Sequence, residues 1–265
     1  MLKADMSIPT LTEQNHRWEL ARTGDIVLHS NNTSTGFLLR AATSSMYNHA
    51  SIALRVNEEG KLVLDNSGKL YLLEINTDNR YDPLLGEYCT GMGVSEAEWC
   101  FARYNTNMIR KLHDRFRNEK LLKLTEKFIL TYRGWQFTKS FLPFISVFIG
   151  VPFDNRSQPD KSNKQIFCTE LVVKYFEEAV APQFVDFTGI EYKGDLEEIF
   201  GKGSSKRCDL YSPETLSSRL TPYSPVLANH EIMIQKEEAD GGVVLYQPVI
   251  IILVILVFMF YVLRY

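Results

Sequence analysis

Cys168 stands in the segment Phe167-Cys168-Thr169-Glu170-Leu171-Val172, where an extended stretch gives way to a helix. The apolar positions behind it, Leu171, Val172, Tyr175, Phe176 and Ala179, recur at helical spacing and put Cys168 in the first turn. There the helix dipole and the free backbone N–H groups favour a thiolate. A thiolate attacks carbonyl carbon when a base takes the thiol proton and a third group holds that base. A cysteine on an apolar helix face also serves as a small core residue, and spacing alone leaves both roles open.

The base must be one of five histidines, His16, His29, His49, His113 and His230. His16 and His230 lie in segments that read as surface, and His113 sits among charges near a helix end. His29 and His49 fall on strand-like stretches. His49 follows the polar run Thr43-Ser44-Ser45 and opens Ala50-Ser51-Ile52-Ala53-Leu54, a rigid place from which to aim an imidazole. His29 is either a second imidazole near the site or an ordinary strand residue. Glu74, behind Tyr71-Leu72-Leu73 and before Ile75, is an acid inside a strand. It belongs either on a solvated edge or across the sheet from His49, where it would fix the imidazole tautomer. Asp25 either caps a turn by hydrogen bonds to backbone or touches substrate.

The elements that would carry these residues read as a mixed α+β chain. Thr23-Gly24-Asp25 turns into a strand at Ile26-Val27-Leu28-His29, and strands follow near 49–56, 61–64 and 70–75, joined by the tight turns Asn57-Glu58-Glu59-Gly60 and Asp65-Asn66-Ser67-Gly68. These make an antiparallel meander. Ser95 and Glu98 form a capping box, and Ala97, Phe101, Tyr104, Met108 and Leu112 behind it fall at helix spacing. Leu121, Leu124, Phe128 and Tyr132 repeat that spacing up to Gly134. The domain organisation expected is an N-terminal arm over 1–22, a catalytic domain over 23–220 with a helical insert around 95–133, a linker over 221–242, and a tail over 243–263.

Bulk properties exclude several classes. The 265 residues suffice for one substantial core. With 29 Lys and Arg against 32 Asp and Glu, the net charge of -3 gives no basic surface for nucleic acid. Cys89, Cys100, Cys168 and Cys208 are widely spaced, show no zinc-knuckle pattern and suit a reduced compartment. No metal and no cofactor is expected. The uncharged run from Val243 to Leu263, with the unbroken apolar stretch Val249 to Phe260 inside it and Arg264-Tyr265 after it, is long enough at about twenty residues to cross a bilayer. It leads to the expectation of a C-terminal transmembrane helix over 243–263, a single-pass anchor and a bilayer partner.

The chain resembles the circularly permuted papain-like branch of the NlpC/P60 superfamily, which includes YiiX/YebB-like bacterial proteins and a poxvirus protein. Thr23-Gly24-Asp25-Ile26-Val27-Leu28 resembles that family's opening strand, Asn48-His49-Ala50-Ser51-Ile52 its histidine motif, and Leu72-Leu73-Glu74-Ile75 the strand bearing its third polar residue. Tyr132-Arg133-Gly134-Trp135 is a looser match to a glycine and aromatic segment. Phe167-Cys168-Thr169-Glu170-Leu171-Val172 resembles its cysteine motif, and Ser212-Pro213-Glu214-Thr215-Leu216 its closing segment. The order histidine, acid, cysteine is that of the permuted members.

The resemblance implies an antiparallel sheet packed on the cysteine helix, with Cys168 as nucleophile, His49 as general base and Glu74 orienting His49. The Cys168 backbone N–H would serve as an oxyanion donor, with Gln165 as a second. The reaction implied is acyl transfer through a thioester on Cys168, cleaving a peptide or amide bond. A lipid acyl hydrolase or acyltransferase is the alternative within enzymes, favoured by the membrane tail. An inactive, membrane-anchored structural or interaction protein of a viral particle is the alternative outside them. An anchor on such a domain resembles proteins of large DNA viruses, so a virion or host membrane is the expected location.

Overall fold

A computed structural model describes residues 17–33, 36, 40, 45–138, 164–189, 191–202 and 211–235. All of these belong to one unit, Met1–Gln235. Its frame is a seven-stranded antiparallel sheet, counted among the described residues. The strands are β1 (Ile26–Ser30), β2 (His49–Val56), β3 (Leu62–Val63), β4 (Lys69–Asp82), β5 (Glu87–Glu96), β6 (Thr106–Leu112) and β9 (Leu227–Gln235). Their spatial order is β5-β4-β2-β1-β6-β9, with β3 paired to β2. Two short strands, β7 (Gln136–Phe137) and β8 (Gln165–Ile166), pair in parallel beside it. The helices are α1 (Ala97–Arg103), α2 (Glu119–Tyr132), α3 (Cys168–Tyr175), α4 (Phe184–Thr188) and α5 (Glu197–Phe200).

Alternation along the strands splits the apolar side chains between two faces. Ile26, Leu28, Ala50, Ile52, Leu54, Leu73, Ile75 and Met108 join the larger core with α2 and α3. Val27, Ala53, Leu70, Leu72 and Ile109 join a smaller one with Ala97, Cys100 and Phe101 of α1. Every strand residue of β2 is buried because both faces are covered. Helix α3 is buried along its whole length and packs on β2 and β4. It begins after extended Phe167, whose N–H donates to Glu170 Oε2 at 3.4 Å, so an acid in the first turn reaches back to the helix start.

Three expectations are corrected here. The helical spacing over 97–112 holds only to Arg103, and residues 106–112 form β6 between β1 and β9. Met108 and Leu112 fit a helix stripe, but both also point to the larger core from a strand while Ile109 meets the smaller one. Four-residue spacing satisfies a period of two as well as one of 3.6. The stretch 95–133 is therefore not a wholly helical insert: α1 and α2 are separated by a strand of the main sheet, and α2 forms as its spacing predicts. It ends before Gly134, whose φ of +79° is the left-handed conformation glycine adopts freely. The stretch expected as a linker over 221–242 contains β9, which closes the sheet edge on β6.

The third correction concerns the C terminus. Among the described residues no helix is long and apolar enough to cross a membrane, and 243–263 lies outside them. The transmembrane helix, the single-pass anchor and the membrane location are withdrawn.

Leu171 carries no solvent-exposed surface and sits in the larger core. Leu171→Ala is expected to lower unfolding free energy by about 2–5 kcal/mol, the usual cost of a buried Leu→Ala cavity. Urea denaturation followed by far-UV circular dichroism measures it, and a loss below about 1 kcal/mol would mean that α3 does not pack as described.

Candidate active site

The site assembles where the first residue of β2 meets the first residue of α3. His49 Nε2 lies 2.8 Å from Glu74 Oε2, which leaves Nδ1 as the nitrogen available to the thiol. The Cys168 thiol lies close enough to the His49 side chain to act on its charge. Cys168 and His49 are each 6 % exposed and Glu74 is 1 % exposed. The structure thus brings together the three residues singled out from the sequence, separated along the chain by 25 and 94 positions.

Antiparallel register places the acid. Ile52 pairs with Leu73, so Glu74 falls opposite Ser51 and diagonally from His49 on the same face. Its carboxylate is held from several sides. Ser95 Oγ donates to Oε1 at 2.7 Å, Cys100 Sγ lies 3.7 Å from the same oxygen, and Arg80 Nε stands 3.8 Å away. Arg80 arrives there because β4 is irregular between Asn76 and Arg80, and its Nη2 donates to the carbonyls of Glu74 and Gly91. Gly93, paired with Glu74, leaves the space this needs. A Cβ there would come within 2.7 Å of Cys89 Sγ and 3.0 Å of Asp82 Oδ2.

Electrostatics couple the pair. Burial alone would lower the His49 pKa, but the negative charges at Cys168 and Glu74 and the Glu74 hydrogen bond outweigh it and push it up to about 10. Burial alone would raise the Glu74 pKa. The hydrogen bond and charge of His49, then Arg80 and Ser95, hold it well below the usual carboxylate range. The arrangement favours imidazolium beside carboxylate at neutral pH.

One segment ties cysteine and histidine together. Thr169 Oγ1 donates to the Tyr211 carbonyl at 2.6 Å, and Glu214 Oε2 accepts from the Met46 N–H at 2.8 Å and lies 3.5 Å from Ser45 Oγ. The stretch Tyr211-Ser212-Pro213-Glu214 therefore holds both the helix start and the loop before His49. Trp135, after α2, accepts from Met92 N–H through its carbonyl at 2.8 Å and packs on Tyr132 with ring centroids 4.8 Å apart.

The other candidates fall elsewhere. Asp25 precedes β1 at the end away from the His29–His49 pair, four residues or about 13 Å along the strand direction. It is fully buried, accepts from the N–H groups of Arg22 and Leu112 at 2.8 Å, and pairs with Arg117 and Lys111. It joins turn, sheet and the segment before α2, as the capping reading has it, and has no place at the thiol. Gln165 is half-buried on β8, paired with Gln136 and three residues before Cys168. Ser95, assigned from sequence to a helix cap, instead supports Glu74; no capping side chain starts α1. Arg80 carries no sequence signal of its own.

No protein-family model and no curated protein sequence matches the chain. Among solved structures it is similar to the metalloprotein YiiX of Escherichia coli O157:H7, described as DUF1105. The identity is 17 % and the TM-score 0.41, over 82 % of this chain and 98 % of that one. YiiX is a name the motif order had pointed to, but a likeness this slight decides neither family nor activity. Nothing in it supports a viral origin. Among the described residues no group of three or more His, Cys, Asp and Glu side chains is placed to hold a metal ion.

The shifted pair has a consequence for stability. His49 has a folded-state pKa raised above its ordinary 6.5, to about 10, so its contribution is full below about pH 6.5 and is lost as pH rises through 10. Wild type is therefore expected to exceed His49→Ala in unfolding free energy by more near pH 6.5 than near pH 10.5. Urea titrations at the two pH values measure the gap, and a gap that widens on going to high pH contradicts the pairing.

Proposed function

We propose that the chain is a thiol-dependent acyl-transfer enzyme in which Cys168 is the nucleophile, His49 the general base and acid, and Glu74 the group that orients His49. The observation that carries this reading is the meeting of Cys168, at the first turn of α3, with a His49 ring whose far nitrogen is fixed by Glu74 at 2.8 Å. That is the nucleophile, base and orienter relation on which thiol catalysis depends.

The Cys168 thiol proton is already held on His49 Nδ1 as imidazolium, and the thiolate sulfur attacks a carbonyl carbon. Charge gathers on the carbonyl oxygen as the tetrahedral intermediate forms. The backbone N–H of Cys168, in the first helical turn where amides have no intrahelical acceptor, is the proposed first donor to that oxygen, and the Gln165 side chain is the proposed second. His49 returns its proton to the departing amine, the C–N bond breaks, and an acyl thioester remains on Cys168. Water, giving a proton to His49, then attacks the thioester and releases a carboxylic acid and the thiol.

An amide or peptide bond is the proposed substrate. The case for a lipid ester rested on a membrane tail and falls with it. The domain proposed to carry the chemistry runs from 23 through β9, since that strand completes the sheet.

A thiol-directed electrophile should label Cys168 at neutral pH at least about tenfold faster than Cys89, Cys100 or Cys208, as an activated thiolate does. His49→Ala should abolish that advantage. Intact-mass and peptide mass spectrometry read both; equal labelling of all four cysteines marks a fold kept without catalysis. Where an amide substrate is turned over, His49→Ala should reduce turnover by about 10²–10⁴-fold, and a mass increment on Cys168 matching the acyl group should be trapped in the wild type.

A further inference from the structure

A second imidazole lies under the first. His29 on β1 pairs in register with His49 on β2, is fully buried, and stacks on the His49 ring with centroids 5.6 Å apart and 30° between planes. Tyr104, just past α1, completes a three-ring cluster. Its ring lies 4.5 Å from His29 and 5.9 Å from His49, inclined by only 10° to the latter.

Both nitrogens of His29 are engaged. Nδ1 lies 2.7 Å from Asn107 Oδ1, an atom that only accepts, so the ring proton sits on Nδ1. Nε2 lies 2.7 Å from Ser51 Oγ and must then accept the hydroxyl proton. Ser51 also approaches the Val27 carbonyl, at the longer distance of 3.4 Å. The groups that face His29 are His49 from β2, Tyr104 beyond α1, and, at longer range, Glu74 from β4. Burial first, then the charge of His49, lowers the His29 pKa to about 3, while Asn107 and Glu74 oppose that.

We propose that His29 is a positioning residue: a neutral imidazole with both nitrogens committed, which forms the wall that keeps the His49 ring between Glu74 and Cys168. It touches no substrate in this scheme. It leaves His49 as the one imidazole of the pair able to take a proton and restricts that ring's rotation away from the thiol. The proposal rests on the catalytic reading for its purpose, but its physical content, the state of two rings, can be measured without substrate.

The test uses nitrogen-15 NMR of the imidazole rings in the wild type, His29→Ala and His29→Phe. Both variants leave Asn107 and Ser51 without the His29 nitrogens, and they differ in whether a flat ring remains. The His49 titration midpoint is expected to fall by at least about one unit in His29→Ala, a tenfold loss of imidazolium preference, and to recover in His29→Phe. An unchanged midpoint in His29→Ala, or equal falls in both variants, overturns the proposal. Should neither variant fold, the wild type still decides. His29 must stay neutral with its proton on Nδ1 from about pH 5 to 9, and a titration in that range or a proton on Nε2 overturns it. Cys168 labelling on the same samples separates this from the catalytic reading. Wild-type Cys168 reacting no faster than Cys89 and Cys100 defeats catalysis, whereas a reactive Cys168 with unchanged His49 behaviour in His29→Ala defeats the role of His29.

Discussion

A histidine and a glutamate in contact, both withdrawn from water, set the terms for the rest of this molecule. Desolvating either charge alone is costly, and the pair is tolerable only if the remaining lone pairs and protons are met. Glu74 is met by Ser95 and Arg80 as well as by His49, and the second nitrogen of His49 is left for the Cys168 thiol. Much of the local architecture exists to keep that arrangement closed. The irregular end of β4 returns Arg80 to the acid, Gly93 leaves room for it, and α1 brings Cys100 and Tyr104 down over the same face of the sheet.

The sheet face that carries these polar groups is not a separate pocket lined after the fold is made. It is the same alternation that builds the smaller apolar core, with His29, His49, Ser51, Asn107 and Glu74 standing where Val27, Ala53, Leu72 and Ile109 stand one rung along. Polar side chains at such positions have to satisfy one another, and here they do so in a continuous series from Asn107 through His29 to Ser51, and from His49 through Glu74 to Ser95. Buried polar series of this kind are costly when any member is removed.

The sequence made some of this legible and hid the rest for definite reasons. Cys168 could be read because a helical apolar stripe begins immediately behind it, and His49 and Glu74 because polar residues interrupt strands that are otherwise apolar. The strand at 106–112 was hidden because its core residues recur at a spacing that a helix also accepts, and β9 because Leu227 to Gln235 is polar enough on one face to pass for a linker. Ser95 was assigned to a helix start because Ser followed by Glu three residues on is a capping pattern wherever it falls; only the cross-strand pairing of β4 with β5 shows that it faces the acid. Arg80 could not have been found at all, since it reaches Glu74 by an irregularity in a strand and not by periodicity. The apolar tail shows the opposite error, a strong compositional signal with no described helix behind it.

Nucleophile and base come from chain segments 119 residues apart, yet the segment opening at Tyr211 grips both, taking the Thr169 hydroxyl on one side and the Met46 amide on the other. It works as a caliper. The gap between sulfur and imidazole is gauged by a third piece of chain that contributes no reacting atom, so changes in its length or backbone path would open or close that gap while leaving all three reactive side chains in place.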